Sequence, residues 1–143
     1  MEQNRKKGYT KQTTVTQDML ACAVKSGSLR VLATPVVAAL AESAACTLAQ
    51  EYVDAGCTTV GTDIHIAHIS PTPAGAKVWA EAELLKHEGR EFAFSVTVFD
   101  ESGVVATGTH TRFSVKADSF QKKADAKLQK ADAANDEGQD DVE

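Results

Sequence analysis

Residues 34–54 read TPVVAALAESAACTLAQEYVD, and this stretch decides the fold. Thr34 suits a helix N-cap, and Pro35 suits the first helical position, where its missing N–H costs nothing. The run ends near Asp54, with Gly56 as a stop signal. From Val36 to Ala49 nearly every position is apolar, so the pattern predicts a helix with no polar face. Such a helix is buried, and its many alanines let a sheet backbone come close.

Four strand-like segments follow, over 58–70, 77–87, 90–99 and 104–116. Short connections separate them: 71–75 (PTPAG), the Glu88-Gly89 hairpin signal, and 100–103. Long strands joined by short turns are antiparallel neighbours. Upstream, 9–17 (YTKQTTVTQ) reads as a further strand, and 18–28 is ambiguous, ending in Ser-Gly-Ser. The expected order is strand, long helix, four-stranded meander. A single sheet encloses an apolar helix only by curling around it, so the expected class is α+β, a hotdog fold with a curved antiparallel sheet wrapped around one central helix. That arrangement leaves an edge or face in need of cover, which predicts a homodimer, with a tetramer left open. The expected domain spans residues 1–116. Residues 117–143 are dominated by Lys, Ala, Asp, Gln and Glu, and read as a charged tail, disordered or weakly helical.

Composition narrows the function. The chain has 143 residues, 43% hydrophobic and 24% charged, with net charge −5 and pI about 5.4. One domain fits that length, and the acidity speaks against nucleic acid as the main partner. Cys22, Cys46 and Cys57 are odd in number and lack a CxxC pair. Neither a disulfide framework nor a zinc site is indicated; small buried hydrophobes in a reducing cytoplasm fit better. Residues 1–20 lack an apolar signal core, and no run approaches the roughly 18 apolar residues of a membrane helix. GxGxxG, GxxxxGK[ST] and GxSxG are all missing, which removes support for dinucleotide, P-loop and α/β-hydrolase chemistry.

Three residues stand out. Glu42 is the one charged side chain between Arg30 and Glu51, and it lies mid-helix. A carboxylate there must be partnered, protonated or beside a cleft, unless it simply faces solvent. Strict alternation over 60–70 puts His68 on one face with Val60, Thr62, Ile64 and Ile66, pointing at a core or cleft. It could be a hydrogen-bonded core histidine or a working one. Thr34 is explained by capping alone, yet a helix N-terminus also suits a developing oxyanion. Thr34 and Glu42 are eight residues apart, about two turns, and so share one side of the helix. Gly61 is unusual inside a strand, marking either a bulge or a close approach of substrate; Gly108 is similar. His110 and Arg112 alternate on one face of the last strand, and Arg112 could meet a phosphate or simply be solvated. Trp79, Phe92, Phe94 and Phe99 read as core or interface. His65 and His68 face opposite ways, which is poor for chelation, so no metal is expected.

These residues resemble a known family. Val31-Leu32-Ala33-Thr34-Pro35 with Glu42, then Val60-Gly61-Thr62 with the 68–75 segment HISPTPAG, then Gly108-Thr109-His110-Thr111-Arg112-Phe113, are similar to three motifs of the fluoroacetyl-CoA-thioesterase-like family, in one register over about 9–116. The resemblance implies a hotdog dimer that hydrolyses short acyl-CoA thioesters with a Thr, Glu and His constellation, landing on Thr34, Glu42 and His68. It implies that Gly61 supports the thioester carbonyl and that Arg112 is a substrate-binding position. Coenzyme A enters as part of the substrate, and no separate cofactor is implied. The fluoroacetyl-specific member carries aromatic residues in a lid before the Thr-bearing helix; here 25–30 (KSGSLR) has none, which speaks against fluoroacetyl specificity and for a broader housekeeping thioesterase or another acyl group.

The expected chemistry is hydrolysis to carboxylate and free coenzyme A. His68 acts as general base oriented by Glu42, in one subunit or across two; Thr34 attacks or holds the water. Helix-end amides and Gly61 stabilise the oxyanion. A non-catalytic acyl-CoA-binding module is the alternative from another class; a hydratase lacks its motif.

Overall fold

The computed structural model describes residues 6–138. The long helix predicted from Thr34 forms as α2, Thr34–Ala49, after a short α1 at Ala21–Val24. It ends earlier than expected because the chain tightens into a 3₁₀ turn over Gln50–Tyr52. Gly56, at φ 83°, then makes the corner into the sheet, a conformation that favours glycine. Four long strands follow: β3 (Cys57–His68), β4 (Lys77–Glu88), β5 (Glu91–Asp100) and β6 (Gly103–Lys116). All pairings are antiparallel, as short turns require. The strand predicted over 9–17 is two pieces on the edge of β4: β1 (Lys7–Tyr9) and β2 (Thr13–Thr14). Thr10 divides them, since its hydroxyl takes the ladder position of a carbonyl and accepts from the Ala80 N–H at 2.8 Å.

The sheet runs β1-β4-β5-β6-β3 and curls over α2. Its inner face presents Val78, Ala80 and Ala82 from β4, Phe92, Phe94, Val96 and Val98 from β5, and Val105 and Ala106 from β6. These close on Val37, Ala41, Ala44, Ala45, Leu48 and Ala49 of α2. At roughly 25 cal/mol per Å² this is the main stabilising contact of the domain. The helix is not enclosed all round, however. Pro35, Ala39, Ser43 and Thr47 are exposed along one line, because a single curled sheet covers one side only. Cys22 is exposed rather than buried, since α1 lies on the surface; Cys46 and Cys57 are partly buried, and all three thiols are free.

The residues after 116 continue as α3, Ala117–Gly138, where the sequence indicated a disordered or weakly helical tail; residues 139–143 and 1–5 lie outside the described residues. No helix among the described residues is long and apolar enough to cross a membrane.

Phe94 is fully packed between β5 and α2. Phe94→Ala should lower stability by about 3–5 kcal/mol, read as a shift in the urea midpoint; an unmoved midpoint would contradict this placement of the core.

Candidate active site

The first turn of α2 meets the last residue of β3. Ala33, in an extended conformation, is the N-cap residue and Thr34 the first helical residue, so the expected capping role of Thr34 does not occur. Its hydroxyl is taken by a better partner: Thr34 Oγ1 lies 2.7 Å from His68 Nδ1. His68 Nε2 is buried and has no hydrogen-bond partner among the described residues. The pair sits in an open groove of about 310 Å³, walled by Ala21, Ser26, Val31, Leu32, Ile69, Ser70 and Pro71. Ser26 comes from the 25–30 loop. Apart from the His68 imidazole, the wall carries no aromatic, acidic or basic side chain.

Strict alternation along β3 fails at one place. The β3–β6 register shifts between Gly61 and Asp63, leaving Thr62 as an extra residue. The bulge changes the phase of the strand. Thr59 is buried and Gly61 faces the helix, and beyond the bulge Ile64, Ile66 and His68 face it too. Val60 and Thr62 therefore do not share a face with His68, as uninterrupted alternation had predicted. Gly61 falls on the inner face instead, against Glu42. A Cβ on Gly61 would collide with Glu42 Oε2 and stand 3.0 Å from His110 Cε1. The glycine is there for clearance.

Glu42 thus heads a second cluster, about 12 Å along the helix from Thr34. Its side chain is 43% exposed, and Oε2 lies 3.7 Å from Arg112 Nη1 and 3.9 Å from His110 Nε2. Arg112 is turned inward rather than toward a solvent-borne phosphate. It donates from Nε to Thr59 Oγ1 at 2.8 Å and from Nη2 to the Thr59 carbonyl at 2.9 Å. His110 Nδ1 lies 2.8 Å from the Asp63 carbonyl, and Arg112 Nη1 lies 3.2 Å from His110 Nε2. A carbonyl only accepts and a guanidinium only donates, so the imidazole is neutral, with its proton on Nδ1. Burial pushes its pKa below the ordinary 6.5, helped by the Arg112 charge and opposed by the Asp63 carbonyl and Glu42.

Of the residues singled out in the sequence, Thr34 and His68 are brought together, and Glu42, Gly61 and Arg112 form the other group. Glu42 does not touch His68 within one chain. His110 carries more of the second cluster than sequence reasoning gave it. The available signal was its period-two relation to Arg112 across from Gly61.

A helix clasped by a curled antiparallel sheet, with a Thr–His pair at its start and a carboxylate two turns on, defines a hotdog-fold thioesterase. Residues 15–118 match the family of fluoroacetyl-CoA-specific thioesterases, and the chain belongs to that family. A fluoroacetyl-CoA thioesterase from Streptantibioticus cattleyicolor is 32% identical over 93 residues, covering 65% of this chain and 67% of that one. A solved structure of the fluoroacetyl-CoA thioesterase superposes with a TM-score of 0.80 at 24% identity, covering 89% of this chain and 98% of the other. A thioesterase-superfamily protein from Thermus thermophilus gives a TM-score of 0.81 at 18% identity, covering 90% and 95%. At these identities the two structures speak for the fold.

Two outcomes follow from the second cluster. Gly61→Ala should displace the Glu42 carboxylate and cut turnover at least tenfold while melting changes little; wild-type turnover would show that the clearance is idle. His110 resists protonation when folded, but the unfolded chain takes up that proton near pH 6.5. Stability should therefore be flat above that value and fall as pH drops through it. His110→Asn should lose less melting temperature than wild type between about pH 7.5 and 5.5; parallel curves would contradict a depressed His110.

Proposed function

We propose that the protein hydrolyses a short-chain acyl-CoA thioester to carboxylate and free coenzyme A, at a site built from two copies of the chain. The observation that carries this reading is the 2.7 Å contact between Thr34 Oγ1 and His68 Nδ1 at the wall of a groove. A thioester is an activated carbonyl with a good leaving group, so an oriented nucleophile, a base and some charge stabilisation suffice. His68 takes the proton of the attacking hydroxyl, either Thr34 itself or a water that Thr34 holds. The same imidazole then delivers it to the departing sulfur; where Thr34 is the nucleophile, a water activated by His68 afterwards hydrolyses the acyl-Thr34 ester, releasing the carboxylate and restoring the hydroxyl. Val36 and Val37 both donate to the Ala33 carbonyl, and Pro35 has no N–H, so the oxyanion contribution of the helix end narrows to the Thr34 amide. These steps draw on protein groups alone, with no metal or redox cofactor.

The dimer supplies what one chain lacks. β3 is a 12-residue edge strand, long enough to seed pairing with another copy. We place the two-fold at His65, the register that brings the two half-sites together, so that Ile64 would lie across from the partner's Ile66. Because the bulge brings Gly61 into phase, Gly61 then lies across from the partner's His68. In that arrangement Glu42, which sits over Gly61, would come within reach of the partner's His68, whose Nε2 is buried and has no partner among the described residues of its own chain. A carboxylate there fixes the tautomer that leaves Nδ1 free to accept from Thr34. Three free thiols and an acyl-CoA substrate fit a cytoplasmic site of action.

A panel of short acyl-CoAs with thiol detection tests the chemistry. His68→Ala should lose at least about a hundredfold in kcat/KM; equal rates would remove His68 from the mechanism, and tight binding without thiol release would mark a binding module. Mixing inactive Glu42→Gln and His68→Ala subunits tests the shared site. One intact site per mixed dimer should restore activity, and no recovery after verified subunit exchange would place both residues in one chain.

A further inference from the structure

The thioesterase reading leaves the nucleotide of coenzyme A without a seat. The groove at Thr34 and His68 offers no fixed cation, and the Arg112 guanidinium is buried and spent on Thr59, His110 and Glu42. A second cavity, of about 590 Å³, lies at the end of the sheet beyond the C-terminus of α2. Arg90 of the β4–β5 turn, Lys116 at the end of β6 and Lys123 of α3 line it, with Phe120 between them and Asp54 as the one acid. Three cations against one carboxylate make it locally positive in a chain of net charge −5. Among the described residues none of the three cations is ion-paired. Arg90 is held in place by its Nε, which donates to the Ser114 carbonyl at 2.9 Å and leaves the rest of the fork free. Phe120 and Lys123 are three apart on α3 and so share a face, and Phe120 is 43% exposed.

We infer that this cavity binds the 3′-phosphorylated adenosine diphosphate end of coenzyme A. Arg90, Lys116 and Lys123 meet the phosphates, and Phe120 stacks on the purine. The volume lies within the ordinary range for a small-molecule site. The reach fits as well. Cys57 lines the cavity and pairs with Lys116, while Gly61 pairs with Arg112, four residues further along β3. That is about 13 Å at strand rise. The pantetheine arm has the length of about five peptide units, roughly 17 Å extended. In length alone, the arm of a nucleotide held here spans the distance to the cluster around Glu42 and Gly61. This inference rests on the thioesterase reading, and it assigns α3 a role in substrate recognition.

The test compares acyl-CoA with the same acyl group on pantetheine, which lacks the nucleotide. In the Lys116→Ala/Lys123→Ala double variant, and separately in Phe120→Ala, KM for acyl-CoA should rise about tenfold with kcat unchanged. Kinetics on acyl-pantetheine should stay at wild-type values. An unchanged KM for acyl-CoA, or equal losses on both substrates, would overturn the inference. A calorimetric titration with adenosine 3′,5′-bisphosphate reads the site without turnover. Wild type should bind it, more weakly as salt rises, and the double variant about tenfold more weakly still. No binding, or equal binding by both proteins, would overturn the nucleotide site even if thioesterase activity stands. Nucleotide binding that depends on the two lysines, in a protein that releases no thiol, would sink the thioesterase reading and leave the nucleotide site standing.

Discussion

A single extra residue in β3 sets the geometry on which everything else depends. Side chains on a strand alternate strictly, so Gly61 and His68, seven apart, belong on opposite faces of an unbroken strand. Both face the helix because Thr62 is bulged out. The bulge is held from both sides: the His110 imidazole lies 2.8 Å from the Asp63 carbonyl just after it, and the Thr62 hydroxyl donates to the Thr111 carbonyl at 3.3 Å. A strand alone does not favour a bulge; here β6 supplies the groups that make it worth forming. Without the phase change, either the glycine clearance for Glu42 or the imidazole beside Thr34 would turn to the far side of the sheet.

The same contacts fix the electrostatics. His110 sits between a carbonyl that needs a donor and a guanidinium that needs an acceptor, and only the neutral Nδ1–H form serves both. Its burial and the Arg112 charge act together to keep it neutral. Arg112 is thereby the one fixed cation facing Glu42 in this cluster. The carboxylate is partly open to water, and it gains a positive neighbour without being locked into a fork-to-fork pair. A carboxylate so placed can turn toward a second partner at modest cost, which a fully buried ion pair could not.

The sequence made the architecture readable because its strongest signals were long-range averages. An apolar run with Pro35 near its start, and four long segments separated by Gly-containing turns, survive errors of one or two residues at each end. What failed was local. Thr34 reads as a cap by propensity alone; only the family resemblance groups it with His68, the imidazole 34 residues later that claims its hydroxyl. Alternation over 60–70 gave the right face for Ile64, Ile66 and His68 but the wrong one for Val60, since the bulge is fixed by cross-strand partners. Arg112 looked equally like a phosphate ligand or a surface residue. Only the position of Thr59 on the neighbouring strand shows that it is neither. The strand before α1 broke because the Thr10 hydroxyl substitutes for a carbonyl, a choice local composition does not encode.

The two polar clusters are about two helical turns apart on α2, and each is incomplete by chemistry. For the proposed hydrolysis, one has a hydroxyl and a base but no acid to fix that base; the other has an acid and a clearance but no nucleophile. Antiparallel pairing of an edge strand with its own copy reverses direction, so it places the start of one β3 beside the end of the other. In the proposed dimer, two half-sites spaced along a single strand would become two whole sites related by the two-fold. The exposed line of Pro35, Ala39, Ser43 and Thr47 leaves small side chains on the side of the helix that the sheet does not cover. In that proposal catalysis and assembly are one constraint on β3, and the bulge at Thr62 is where the two requirements meet.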